Sequence, residues 1–106
     1  MPVTYKVEIQ PQALRDMTEI VTYIADDLKN PDAAERLAER LVHAIESLAT
    51  LPSRCPLHLP SRPLRREYRR LRVESYLVLF TMSEKDEIVT IARVLYAKRE
   101  LDAHLK

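Results

Sequence analysis

Six arginines crowd eleven residues of this 106-residue chain: Arg62, Arg65, Arg66, Arg69, Arg70 and Arg72, against one acid, Glu67. A guanidinium is always charged and presents its donors as a rigid fork that fits phosphate and carboxylate oxygens. Alternation along residues 68–73 puts Arg70 and Arg72 on one strand face and Leu71 and Val73 on the other. A second basic group closes the next strand-like run, Arg93-Val94-Leu95-Tyr96-Ala97-Lys98-Arg99. A half-buried strand with a cationic face suits a polyanion. Arg65, Arg66, Arg69 and Arg93 are therefore candidate contacts, beside Arg70 and Arg72, for phosphates (of an RNA, for instance) or carboxylates.

Other chemistries find little support. The chain has no glycine, which excludes a Gly-rich phosphate loop of either the NTPase or the dinucleotide type. His43, His58 and His104 are too scattered for a zinc site. Cys55 is the single cysteine, so it forms no internal disulfide, and no histidine stands at catalytic spacing to activate it. No carboxylate pair suggests hydrolase chemistry, and no serine sits in a nucleophile elbow. No cofactor is expected.

The net charge of +1 conceals an asymmetry. Residues 1–60 carry 6 basic and 9 acidic residues, whereas residues 61–106 carry 11 and 7. The second half is the expected contact surface for an anionic partner. Hydrophobic residues make up 46% of the chain, enough for one modest core and too many for a disordered chain. A single domain over residues 1–106 is expected. No apolar run suits a membrane span, no signal-peptide pattern opens the chain, and one cysteine fits a reducing compartment, so the expected location is the cytoplasm.

The elements that must position these residues follow from periodicity. Thr4–Ile9 alternates as a strand. Pro11 opens a helix whose apolar stripe reads Leu14, Met17, Val21, Ile24 and Leu28. Asn30 caps a second helix, with Pro31 at its first position, and its stripe reads Leu37, Leu41, Ala44, Ile45, Leu48 and Leu51. So short a break makes the pair a hairpin. Pro52, Pro56, Pro60 and Pro63 then mark a loop. Three strands, Tyr68–Val73, Tyr76–Met82 and Ile88–Tyr96, form an antiparallel meander, and Glu100–Leu105 adds a terminal helical turn. The expected class is α+β, in the order β-α-α-β-β-β, with the helical hairpin on one face of the sheet.

That order resembles the RelE/ParE superfamily of bacterial toxins, the toxic halves of type II toxin–antitoxin modules. The resemblance rests on the helix corner Asn30-Pro31-Asp32-Ala33-Ala34, the strands Tyr68-Arg69-Arg70-Leu71 and Tyr76-Leu77-Val78-Leu79-Phe80, and the closing run from Arg93 to Arg99. It implies a cognate antitoxin as partner and one of two activities. RelE-like members cut mRNA at the ribosome without a metal, and ParE-like members poison DNA gyrase without cutting RNA. Metal-free cleavage needs the ribose hydroxyl deprotonated, the phosphorane charge neutralised and the leaving oxygen protonated. By resemblance, Arg70, Arg72 and Arg99 would neutralise charge, and Lys98, Tyr96 or His104 would move protons.

One position departs from the nuclease pattern: Leu77 stands beside Tyr76 where RelE-like nucleases usually carry an arginine. Plainer roles fit the same residues. The arginine run could be a solvated edge that discourages aggregation, or a dock for acidic side chains of an antitoxin. Tyr96 could close the core, and Arg93 could pair with an acid such as Glu8 or Glu74. Cleavage of mRNA leads these expectations narrowly, ahead of gyrase poisoning and of a toxin-fold interaction module without toxicity.

Overall fold

The structure is a computed structural model and describes residues 3–59 and 64–98. Strand β1 (Lys6–Ile9) passes through Gln10 straight into helix α1 (Pro11–Thr22), where Pro11 needs no N–H partner. The helix widens into a π turn over Tyr23–Asp27, and the Leu28 N–H reaches the Tyr23 carbonyl at 3.1 Å. Lys29 then turns left-handed at φ 51°. The Asn30 side chain accepts from the Ala33 N–H at 3.2 Å, the expected cap of α2 (Pro31–Ser47). Strands β2 (Arg69–Val73), β3 (Tyr76–Ser83) and β4 (Ile88–Tyr96) complete the order. The proposed helical turn at Glu100–Leu105 lies outside the described residues.

The four strands form one sheet, ordered β1-β4-β3-β2. The meander β2-β3-β4 is antiparallel as expected. Strand β1 joins its β4 edge in parallel, pairing Lys6–Ile9 with Ile88–Ile91. Both helices cover one face. Leu37, Leu41, Ile45 and Leu48 of the α2 segment pack with Ala13, Val78, Phe80, Val89, Ile91 and Val94 as the main core. Among the described residues, no helix is long and apolar enough to cross a membrane.

Four stripe residues are not in that core, the half-buried Val21 among them. Leu14 is 50% exposed, Leu28 is 56% exposed, and Leu51 also faces solvent. Helix α1 is rotated so that Ala13, Met17, Ile20 and Ile24 meet the sheet, and the small Ala13 lets the helix close on β4. Leu51 lies past the end of α2 in a left-handed conformation, φ 48°, which reverses the chain and turns its side chain outward. The end of α2 is closed by Arg54, whose guanidinium donates to the carbonyls of Thr50 at 2.6 Å and Leu51 at 3.0 Å and to the Ser47 hydroxyl at 3.0 Å.

A register shift in β4 decides what its last residues face. Leu79 pairs with Arg93, but Phe80 pairs with Ile91, leaving Ala92 as an extra residue. Beyond the shift, Val94 faces the helices and Leu95 the opposite side. Strand β1 ends opposite Ile91, so on that edge the last part of β4 has no strand neighbour among the described residues. Asp16 of α1 takes that place. Its carboxylate accepts from Arg93 Nε at 2.7 Å, from a second Arg93 nitrogen at 3.0 Å, and from the Val94 N–H at 3.0 Å. Gln12 adds a fourth donor at 3.2 Å. The side chain is only 5% exposed. Burial pushes its pKa up, but the hydrogen bonds from Arg93, Val94 and Gln12, with the Arg93 charge, outweigh burial and hold it below the usual aspartate value.

Two outcomes follow. Asp16→Ala removes the carboxylate that Arg93 pairs with and leaves the buried Val94 N–H without its acceptor, and urea denaturation should read a loss of roughly 3–5 kcal/mol. Because the folded pKa is lowered, the stabilisation is complete above the unfolded aspartate pKa and is lost as pH falls through the folded value. Urea midpoints should therefore drop on acidification below about pH 4, and Asp16→Asn should remove that part of the slope; an unchanged slope would deny the carboxylate this role. Separately, Lys29, Leu51, Glu74 and Glu87 all adopt positive φ in a chain without glycine. Lys29→Gly, at the helix terminus, should raise stability by about 0.5–1 kcal/mol in the same assay.

Candidate functional site

The face of the sheet away from the helices carries Arg70 and Arg72. Their neighbours Leu71 and Val73 point into the main core, as alternation along β2 requires. Cross-strand pairing places Leu77 of β3 opposite Arg72 and Leu79 opposite Arg70. Leu79 and Leu95 pack with Tyr68, Leu64 and Ala92, so the chain leading into β2 roofs part of this face. The remainder is a groove of about 730 Å³ lined by Arg54, Pro56, Arg70, Arg72, Leu77 and Ala97. It has an apolar floor and a cationic wall.

The two arginines are held differently. Arg72 Nε donates to the Glu74 carbonyl at 2.9 Å, which fixes its stem across the β2–β3 turn. The Glu74 carboxylate meets Arg40 of α2 at 3.4 Å in an exposed pair. The Arg70 guanidinium makes no hydrogen bond or ion pair with any described residue. It is available to an incoming acid or phosphate.

The other predicted basic residues are dispersed. Arg69 turns the opposite way and donates to the carbonyls of Cys55 at 2.7 Å and Ser53 at 3.3 Å, fastening the loop to the sheet edge. Arg93 is bound to Asp16, an acid outside the pair considered from sequence. Arg65 and Arg66 are exposed ahead of β2, and Lys98 is exposed just past β4. Arg62, Arg99 and His104 lie outside the described residues. Cys55 is buried, and burial pushes its thiol pKa up against the opposing charges of Arg54 and Arg69. That environment disfavours the nucleophilic thiolate.

Tyr96 lies on the helix side of the sheet. Its ring meets Tyr76 edge-on, with centroids 5.8 Å apart at 62°. Tyr76 in turn packs against the main core. A second groove, about 520 Å³, runs between α1 and the end of β4 and is lined by Asp16, Glu19, Tyr23, Tyr76, Leu95 and Tyr96 among others. Burial pushes the Tyr76 hydroxyl pKa up, and Tyr96, Glu74 and Tyr23 add to it. The sheet thus stands between Arg70 and Arg72 on one side and Tyr96 on the other. Asp16, Glu19 and Tyr23 were not singled out in the sequence. Asp16 had a visible signal: a charged residue at core-facing spacing between Ala13 and Ile20.

Comparison with known proteins places this geometry. No curated protein matches the sequence. Among solved structures, the chain is similar to one described as the chromosomal ParDE TA system from P. aeruginosa, with a TM-score of 0.71, 15% identity, and coverage of 90% of this chain and 98% of that one. It is similar to the archaeal RelE-RelB complex from Pyrococcus horikoshii OT3 at a TM-score of 0.61 and 19% identity, covering 91% and 98%. It is also similar to the RelBE2 toxin-antitoxin complex from Mycobacterium tuberculosis at a TM-score of 0.56 and 24% identity, covering 92% and 94%. These likenesses establish the fold. The family model for the ParE toxin of the type II toxin-antitoxin system, parDE, matches residues 7–101, nearly the whole chain, and the protein therefore belongs to the ParE toxin family within the RelE/ParE superfamily.

Proposed function

We propose that this toxin acts by binding and does not cut RNA, with DNA gyrase as its target and a cognate antitoxin as the partner that silences it. The observation that carries this reading is the division of the basic and tyrosine groups by the sheet. Metal-free RNA cleavage needs charge neutralisation and proton transfer around one phosphate. Arg70 and Arg72 stand on the open face, whereas Tyr96 stands on the helix side against Tyr76. Arg93 and Arg69, which could have joined the pair, are occupied by Asp16 and by loop carbonyls. Leu77, opposite Arg72, adds apolar floor where a nuclease would gain a further cation. The ParE family match supports the same choice.

What remains suits protein recognition. One unpaired guanidinium, one braced guanidinium and an apolar floor can seat an acidic side chain beside a hydrophobic one. One observation keeps mRNA cleavage as a second reading. Ala97 lines the same groove as Arg70 and Arg72, and its exposed neighbour Lys98 is a candidate proton carrier.

Purified toxin should inhibit gyrase supercoiling and leave cell-free translation intact. Arg70→Ala with Arg72→Ala should weaken that inhibition by roughly tenfold or more, while the melting temperature stays unchanged because neither side chain enters the core. Messenger RNA cut within codons, with normal supercoiling, would reverse the assignment in favour of the RelE-like activity. Unaffected supercoiling and translation, with healthy growth on expression, would leave an interaction module without toxicity.

A further inference from the structure

The groove between α1 and β4 plays no part in the reading above, yet its lining is chemically specific. Tyr23, Tyr76 and Tyr96 come from three different elements, with Ile20 and Leu95 beneath and Glu19 among the lining residues. Aromatic faces carry negative quadrupoles and attract cations, and an acid beside them adds to that attraction. The segment Pro11–Asp27 holds four acids, Asp16, Glu19, Asp26 and Asp27, against the single base Arg15. Arg93 beside it is paired with Asp16. The tyrosines at the mouth are accessible: Tyr23 is 51% exposed and Tyr96 39%.

Among the described residues, no strand lies along the β1-side edge of β4 beyond Ile91, and there Asp16 takes the Val94 N–H. Groups on the same edge of a strand recur every second residue, so the Tyr96 backbone faces this edge too. An extended chain laid along it would bring a side chain over the tyrosines.

We propose that this groove is a cation-recognition subsite, in which Tyr23, Tyr76, Tyr96 and Glu19 receive an arginine or lysine side chain from an extended segment of the antitoxin. Charge complementarity chooses the occupant. An acidic segment would meet like charge from α1, and a nucleic acid would be repelled there while being attracted to Arg70 on the opposite face. The proposal rests on the toxin–antitoxin reading for the identity of the partner, but not for the chemistry of the subsite.

The first test uses the full chain, isotopically labelled, titrated with Nα-acetyl-arginine amide and with its neutral isostere Nα-acetyl-citrulline amide. The arginine compound should shift the amide resonances of Tyr23, Tyr76 and Tyr96, and the citrulline compound should bind at least roughly fivefold more weakly. Equal binding of the two, or shifts confined to other residues, would overturn the subsite. The second test measures antitoxin affinity for wild type, Glu19→Gln and Tyr23→Leu/Tyr96→Leu, whose altered side chains are accessible and leave the fold intact by circular dichroism. A loss of roughly tenfold in the variants supports the proposal. Antitoxin that binds wild type and variants equally overturns it and leaves the toxin assignment standing. Antitoxin that binds none of them overturns the choice of partner.

Discussion

One carboxylate organises the far end of this sheet. Strand β1 supplies a neighbour for β4 only as far as Ile91, after which β4 is paired through β3 alone for its last five residues. An unpaired edge facing a helix would leave the buried Val94 N–H without an acceptor and the half-buried Arg93 charge without this carboxylate, each costly in a low-dielectric setting. Asp16 answers both at once from the adjacent turn of α1. The same contact sets the rotation of α1, which is why Ala13 and Met17 face inward and Leu14 does not. The inward face of α1, the free edge of β4 and the tyrosine groove thus all meet at a single buried carboxylate.

The second organising feature is the extra residue at Ala92. Without the shift, alternation from Ile91 would carry Arg93 and Leu95 toward the helices, and Tyr96 would share the face of Arg70 and Arg72. With it, Val94 fills the core, Leu95 joins Tyr68 and Leu79 on the other side, and Tyr96 meets Tyr76 beside α1. A bulge of this kind re-aims side chains at a local cost in strand pairing. Here it yields two chemically distinct surfaces on one small platform, one cationic and one aromatic with acidic flanks. A protein that must engage both a target and a silencing partner has use for two such surfaces.

Much of the fold was legible in the sequence because local chemistry dictated it. Pro11, Asn30 and Pro31 announced the helix starts, the α2 stripe from Leu37 to Leu48 proved to be core, and alternation sorted Arg70 from Leu71 correctly. The superfamily was legible for the same reason, since its element order is written in these punctuating residues. The errors came from long-range contacts. The α1 stripe was read as Leu14 to Leu28, because Ala13 carries little hydrophobic signal and Asp16 carries the wrong sign. No local rule marks a bulge at Ala92, so Tyr96 was grouped with arginines that lie across the sheet. Arg69 looked like a free cation, and Arg93 was matched to Glu8 or Glu74, because their partners, the Cys55 carbonyl and the Asp16 carboxylate, are remote in sequence.

The π turn at the end of α1 has an evolutionary consequence. Its wider loop accommodates one more residue than a regular helical turn would, and each residue advances the helix by about 100°. Tyr23 opens that turn and Ile24 still packs on the core. An in-frame deletion of a single codon there would let the coil revert to ordinary pitch and change which side chains the turn presents, while the residues on either side, the capped start of α2 and the sheet keep their places. The side chains offered beside Tyr23 could then change through insertion or deletion at one helical turn, without any substitution in the core.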